Sequence, residues 1–368
     1  MSDLFASRRA RLTDIIREAG LGAVAIVPGP NFYYLSGLHF HLMERPTLLI
    51  VLASGEIAGI IPELERLKWS HTFPDAQTFY WQDKDGFAGA FAQASENLGS
   101  LSIGIEGQRM RAFEAEVLRA HFGDDAISDA HDALSGLRLS KDRTEIEATQ
   151  KAINISEAAL AETIDHVRAG MSEREIAGIL KIRILANGAD GLAFDPIVLA
   201  GGNSANPHGV SGGTQLMAGD PLLIDFGAQY AGYNADITRT FFCGHPKGDH
   251  AEIYQTVLEA NEKGCSVAGP ELTAHELDEA VTGVLAQSRF ADLIVHKTGH
   301  GLGLDVHEAP QVMTGNRAQL VEGALVTIEP GLYRTGEIGV RIEDDVLMEA
   351  GGCRSLTSFP RELTVVGG

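Results

Sequence analysis

Four carboxylates stand in apolar, strand-like segments of this chain. Asp225 and Asp236 lie eleven residues apart, in Ile224-Asp225-Phe226-Gly227 and Ala235-Asp236-Ile237-Thr238-Arg239-Thr240. Glu329 and Glu343 lie fourteen apart, in Thr327-Ile328-Glu329-Pro330-Gly331 and Arg341-Ile342-Glu343-Asp344. Between the pairs runs Gly299-His300-Gly301-Leu302-Gly303-Leu304-Asp305-Val306-His307-Glu308. An ionised carboxylate taken out of water is strongly destabilising unless something positive faces it. Only Arg239 and Arg341 stand beside these acids, too few cations for four anions. Divalent metal ions are the simplest remedy. Oxygen donors with one imidazole suit Mn, Fe, Co or Zn better than a thiolate-type site would. Two such ions about 3.5–4 Å apart can activate a water as nucleophile near neutral pH. The acids therefore predict a two-metal hydrolytic site.

The acids also fall into a weak internal repeat. Each half carries a long helical pattern, then a shorter helix opened by a capping box, Ser172-Glu173-Arg174-Glu175 in one and Thr273-Ala274-His275-Glu276 in the other. In such a box the hydroxyl accepts from the third helical amide while the glutamate reaches back to the cap residue. Ile176, Ile179, Leu180 and Ile184 then predict a buried helical stripe. Strand patterns follow, with a His-Gly pair and two acids: His208-Gly209, Asp225, Asp236, then His300-Gly301, Glu329, Glu343. The offsets are 92, 104 and 107 residues. They predict two similar lobes about a pseudo-twofold axis, with a site on the axis fed by both. Asp225 closes the run Leu222-Leu223-Ile224 and Asp236 opens Ile237 to Phe242, so a hairpin would set the two carboxylates side by side. Pro330-Gly331 marks a turn after Glu329. Alternation along Gly339 to Glu343 puts Arg341 and Glu343 on one strand face.

At 368 residues the chain is long enough for two domains. Leu137 to Asp142 is polar and basic and precedes a helical pattern from Thr144 to Val167, which sets expected domains at 1–137 and 138–368. The first reads as α/β. Leu12, Ile15, Ile16 and Ala19 recur at helical spacing up to Gly20, and Ala23 to Val27 is a short apolar strand. Thr47 to Leu52 and Ile57 to Ile61 flank a turn as a hairpin. Phe87 to Leu98 and Phe113 to Phe122 look helical, with Leu101 to Ile105 extended between them. The second domain mixes helices and strands as α+β.

Lys and Arg total 29 against 50 Asp and Glu, a formal charge of −21, which argues against nucleic acid or an anionic membrane as partner. No run approaches the roughly 18 apolar residues of a membrane span. Met1 to Gly20 is charged and amphipathic, unlike a secretory signal. Cys243, Cys265 and Cys353 are too scattered for a disulfide framework or thiolate site. These features predict a cytoplasmic protein with free thiols.

Alone, any of these acids or histidines would pass for a turn residue or a structural hydrogen bonder. In this order and context the set resembles the pita-bread (creatinase/methionine aminopeptidase-like) metallopeptidases, in the branch of Xaa-Pro dipeptidase (prolidase) and aminopeptidase P. The resemblance rests on Asp225-Phe226-Gly227, Gly232-Tyr233, Asp236 to Thr240, Gly299 to Gly303 with His307-Glu308, Ile328 to Gly331 and Val340 to Asp344. It implies a creatinase/prolidase-type N-terminal α/β domain and a C-terminal pita-bread domain. It also implies metal ligation by Asp225, Asp236, His300, Glu329 and Glu343, with Asp236 and Glu343 bridging two ions, manganese before cobalt, zinc or iron. By the same resemblance His208 and His307 are substrate-side histidines, Glu329 a proton shuttle and Arg341 an arginine near the metals. Family members dimerise, and the segment after Asn31 to Gly37 can approach the partner's site, which makes His39 and His41 specificity candidates.

The activity so implied is hydrolysis of small proline-containing peptides at the Xaa-Pro bond, by a dipeptidase first and an aminopeptidase on longer peptides second. Compact length tilts toward the dipeptidase, which needs a cation for the proline carboxylate: Arg341 or a loop histidine. More distant alternatives are a dimethylsulfoniopropionate lyase on the same fold, which the ligand set leaves open, and a binding module, which the complete ligand set and the acidic charge disfavour; the ligands also argue against the metal-free creatine- and ectoine-type amidohydrolases.

Overall fold

The computed structural model describes residues 2–367. The chain divides into two compact units, Met1–Arg138 and Leu139–Gly368.

The first unit is built on a mixed six-stranded sheet. Its strands are β1 (Ala23–Ile26), β2 (Leu48–Leu52), β3 (Ile57–Pro62), β4 (Gln77–Trp81), β5 (Ile103–Ile105) and β6 (Ile127–Asp129), in the order β4-β3-β2-β1-β5-β6. All four residues of β1 are buried, as a central strand covered on both faces requires, and this explains its unbroken apolar run. β2 and β3 form the expected hairpin. The helices are α1 (Ser2–Glu18), α2 (Pro30–Ser36), α3 (Arg66–Thr72), α4 (Ala88–Leu98), α5 (Ala112–Phe122) and α6 (His131–Ser135). Leu12 and Ile16 of α1 are buried, the face its spacing predicted.

The second unit repeats one plan twice. Helices α7 (Arg143–Ile164) and α8 (Glu173–Ala186) pack on one sheet, α9 (His250–Val267) and α10 (Ala274–Ala286) on another. Both capping boxes form, Ser172 with Glu175 and Thr273 with Glu276; each cap contributes about 1 kcal/mol. Asp142 caps α7 in the same way, accepting from the amides of Thr144 and Glu145 at 2.9 and 3.0 Å. Along α8 the fully buried stripe is Ile176, Ala177, Leu180 and Ile184. Ile179 is only half-buried, and Ala177 completes the face in its place.

The strands are β7 (Gly191–Leu192), β8 (Ile197–Ala200), β9 (Pro221–Phe226), β10 (Ala228–Tyr230), β11 (Tyr233–Asn234), β12 (Ile237–Cys243), β13 (Gly299–Gly301), β14 (Glu308–Val312), β15 (Leu325–Ile328), β16 (Gly331–Arg334), β17 (Ile338–Arg341), β18 (Asp344–Glu349), β19 (Gly352–Ser355) and β20 (Val365–Val366). The first lobe's sheet runs β20-β12-β9-β8 and the second's β14-β13-β15-β18-β19. Leu160, Ile176, Leu180, Ile224 and Phe226 lie in the first core. Ile253, Val257, Leu277, Val326 and Ile328 lie in the second. Each lobe thus offers the ends of its own strands to a common centre.

One strand expectation is corrected. The alternating run through Glu343 is interrupted: β17 ends at Arg341 and β18 begins at Asp344. β17 pairs with β16, whereas β18 pairs with β15. Ile342 and Glu343 are where the chain changes sheets. No helix among the described residues is long and apolar enough to cross a membrane.

Candidate metal centre

The antiparallel register of β9 and β12 sets Asp225 opposite Thr238, with Asp236 one residue before β12. The two aspartates are therefore neighbours at the end of a hairpin. His300 is the middle residue of β13, Glu329 follows β15, and Glu343 occupies the sheet crossover. Ligand atoms of Asp225, Asp236 and Glu343 lie within 4.8 Å of one another, as do those of His300, Glu329 and Glu343. Glu343 thus belongs to both triads.

The donor chemistry fits cations. Nδ1 of His300 stands 3.1 Å from the Gly301 carbonyl, which only accepts, so the proton is on Nδ1. The Nε2 lone pair then faces Glu329 Oε1 at 3.3 Å and Asp236 Oδ2 at 3.7 Å. Burial holds the His300 imidazole neutral, pushing its pKa down to about 3. A lone pair facing two carboxylates is repulsive unless something positive lies among them. The acids show the same strain. Burial first, then Glu343 and Asp225 beside it, raise Asp236 well above the usual carboxylate range. Burial followed by Glu329 and Asp225 does the same to Glu343, and burial pushes Glu329 up to about 7. Oδ1 of Asp225 is buried without a hydrogen-bond partner. Protons or metal ions must neutralise such a set.

Arg341 supplies part of the counter-charge and much of the order. Its Nη2 donates to Asp225 Oδ2, its Nη1 to the Tyr333 hydroxyl at 2.8 Å, and its Nε to Thr238 Oγ1 at 3.0 Å. Thr238 passes its proton side on to Glu343 Oε2 at 2.5 Å. Tyr333 donates to Nε2 of His296 at 2.9 Å, and His296 Nδ1 bonds the Lys297 carbonyl at 2.7 Å. Burial lowers the His296 pKa to about 4, which keeps it neutral and able to accept. Asn261, buried in α9, donates to the carbonyls of Ile328 and Ile342 at 3.0 and 3.3 Å, steadying the residues before Glu329 and Glu343. The Arg239 side chain pairs with Asp344 at 2.7 Å rather than with a ligand carboxylate, and its Nη1 donates to the backbone carbonyl of Glu343 at 2.6 Å. Tyr333, His296 and Asn261 escaped the sequence reading, and Thr238 entered it only as part of a motif; nothing in their local spacing marks roles that depend on which buried groups the packed sheets bring to them.

The clustered acids and His300 line a cavity of about 420 Å³, within the range of small-molecule sites. His208, His307 and Arg341 line it together with Asp225, Asp236, His300, Glu329 and Glu343. The His307 ring tilts against His300 with centroids 4.0 Å apart. Burial first, then Lys297 and His208, lowers the His307 pKa. Phe194, Ile197, Pro207 and Val306 give an apolar wall, and Lys297 adds a cation. Of the remaining candidates, His39 and His41 belong to the first unit, on an exposed segment after α2, where His39 stacks on Tyr33 at 4.0 Å.

Comparison with known proteins matches residues 147–350 to metallopeptidase family M24 and residues 8–140 to the creatinase/prolidase N-terminal domain. An Xaa-Pro dipeptidase of Pyrococcus furiosus is 40% identical over 97% of this chain and 99% of its own. Among solved structures, dipeptidase PepE of Mycobacterium ulcerans superposes with a TM-score of 0.93 at 32% identity, covering 99% of this chain and 98% of the other. An X-Pro aminopeptidase of Thermotoga maritima gives 0.85 at 32% identity, covering 97% and 99%. The chain belongs to metallopeptidase family M24, metal-dependent peptidases, with a creatinase/prolidase N-terminal domain ahead of the pita-bread catalytic domain.

Proposed function

We propose that this protein is an Xaa-Pro dipeptidase working with two divalent ions. The observation that carries the reading is the pair of ligand triads joined by Glu343. Asp225 would hold one ion and His300 with Glu329 the other, with Asp236 and Glu343 shared by both; Asp236 Oδ2 stands 3.7 Å from His300 Nε2. Bound there, the ions supply an activated water near neutral pH and polarise the carbonyl before proline. The carboxylate-rich set favours manganese.

The chain's own residues do the rest. His307 and His208 hydrogen-bond the substrate carbonyl as negative charge develops on it; one such donor contributes about 3 kcal/mol. The nitrogen of a Xaa-Pro bond carries no proton and must acquire one to leave. Glu329, which lines the cavity beside the proposed ion sites, is placed to deliver it. Phe194, Ile197, Pro207 and Val306 offer apolar surface to the proline ring and its neighbour. Arg341 has all three nitrogens engaged within the protein, whereas the Lys297 ammonium lines the cavity and gives only one of its three hydrogens to Gln311, so Lys297 is the better cation for the free carboxylate of a dipeptide. His39 and His41 are given no step. We further assign the protein to the cytoplasm, as a homodimer; light scattering of the purified protein tests the latter.

The X-Pro aminopeptidase among the structural neighbours keeps cleavage of longer Xaa-Pro-Yaa peptides as a second reading. A panel of Xaa-Pro and Xaa-Pro-Yaa peptides, run with chelator and then with manganese, zinc or cobalt, separates them. Dipeptide cleavage abolished by chelator and restored best by manganese is expected. Tripeptides cleaved as fast as dipeptides would overturn the dipeptidase, and activity indifferent to chelator would overturn the metal mechanism.

A further inference from the structure

The turn that carries His307, residues 302–308, has no helix and pairs only at its end. Its shape must be held by side chains. Asn234 Nδ2 donates to the carbonyls of Gly303 and Leu304 at 2.9 and 3.1 Å. The Asp305 amide leans on Glu308 Oε2 at 3.4 Å. Gly303 makes the room, since a Cβ there would lie 2.7 Å from Glu308 Oε1. Glu308 is the residue next to His307, and its carboxylate points away from solvent onto Lys141 Nζ at 2.5 Å. The two side chains are 6% and 1% exposed. Neither lines the cavity.

Lys141 is itself anchored. Its amide donates to the Gly323 carbonyl at 2.8 Å, and Ser140 bridges to Ala324, one residue before β15, the strand that Glu329 follows. One short segment therefore ties the strand of Glu329 to the turn of His307. A buried carboxylate that loses its cation must take a proton or draw in water, and either would let the turn move.

We propose that Lys141 is a positioning residue for His307: its ammonium, buried on Glu308, locks the turn that presents the imidazole to the cavity. This rests on the reading above, in which His307 contacts the substrate. A shift of about 1 Å in a reacting group can cost about 10²-fold in rate.

The test is a double-mutant cycle on the metal-loaded enzyme with an Ala-Pro substrate. Lys141→Met is expected to lower kcat by about tenfold or more with KM and metal content little changed, Lys141→Arg to restore most of the loss, and Lys141→Met to cost nothing further in a His307→Ala background. Amide exchange across residues 302–308 should speed up in Lys141→Met. If that variant fails to fold, Lys141→Met with Glu308→Gln removes both charges and should fold while keeping the low kcat. Parental kcat in the folded variants, or an undiminished extra loss on top of His307→Ala, overturns the proposal. Parental activity of His307→Ala alone instead overturns the role of His307 on which it rests.

Discussion

Arg341 bonds Asp225 through one carboxylate oxygen, Oδ2, and leaves the other, Oδ1, buried with no hydrogen-bond partner. The guanidinium thereby orients the carboxylate and keeps one oxygen available as a ligand. A partner that orients a metal ligand commonly changes affinity by about 10–100-fold when removed. Lysine cannot replace the planar fork that meets Asp225, Tyr333 and Thr238 together. Arg341→Lys is expected to weaken manganese binding by about 10–100-fold, measured by calorimetric titration. Parental affinity in that variant would show that Asp225 needs no such support.

His307 sits within ligand reach of Asp236 and His300 as well as at the cavity wall. If it serves the substrate, His307→Ala lowers kcat by about 10²–10³-fold and leaves the metal content per chain intact. Elemental analysis beside the kinetics decides the matter, because loss of one ion would make His307 a ligand.

Lys297 is expected to read the free carboxylate of a dipeptide. Lys297→Met should raise KM for Xaa-Pro by about tenfold or more, the value of a charge-assisted hydrogen bond, and leave Xaa-Pro-Yaa cleavage almost unchanged. An equal effect on both peptide lengths would remove Lys297 from that role.

Metal-free protein should lose stability as pH rises. Burial lifts the Glu329 carboxyl from 4.5 to about 7, so the folded state holds a proton that the unfolded chain releases earlier. Stability from this group is full below about pH 4.5 and declines up to about pH 7. Melting temperatures of metal-free parent and Glu329→Gln across that window should converge at the acid end and diverge above it, with the parent lower. Added manganese should stabilise most at the upper end, where ions no longer compete with protons.

Gly227, just past β9, packs against the residue before Asp236: a Cβ there would sit 1.7 Å from the Ala235 carbonyl oxygen. Gly227→Ala must spread Asp225 from Asp236. A loss of about 1–3 kcal/mol or more is expected, read from the denaturant midpoint, together with weakened metal binding.

Much of this was legible in the residues. The capping boxes, the β2–β3 hairpin and the β9–β12 hairpin all depend on neighbours close in the chain, where turn chemistry and periodicity act directly. The eight candidates of the second domain reach one cavity, and the internal repeat accounts for part of this by setting Asp225 and Glu329 at matching strand ends of the two lobes. The break at Ile342 and Glu343 was not legible, since alternation continues through it while the pairing partner changes.

The chain's residue types and spacings determined that four acids and an imidazole would meet among apolar strands, and that two lobes would carry them. Tertiary structure alone decided that Arg341 grips Asp225, that Tyr333 links Arg341 to His296, and that Lys141 meets Glu308 across 167 residues of sequence. The reason is physical. Capping and strand alternation are properties of a few adjacent residues, whereas the partner of a buried charge depends on how whole sheets and helices pack around it.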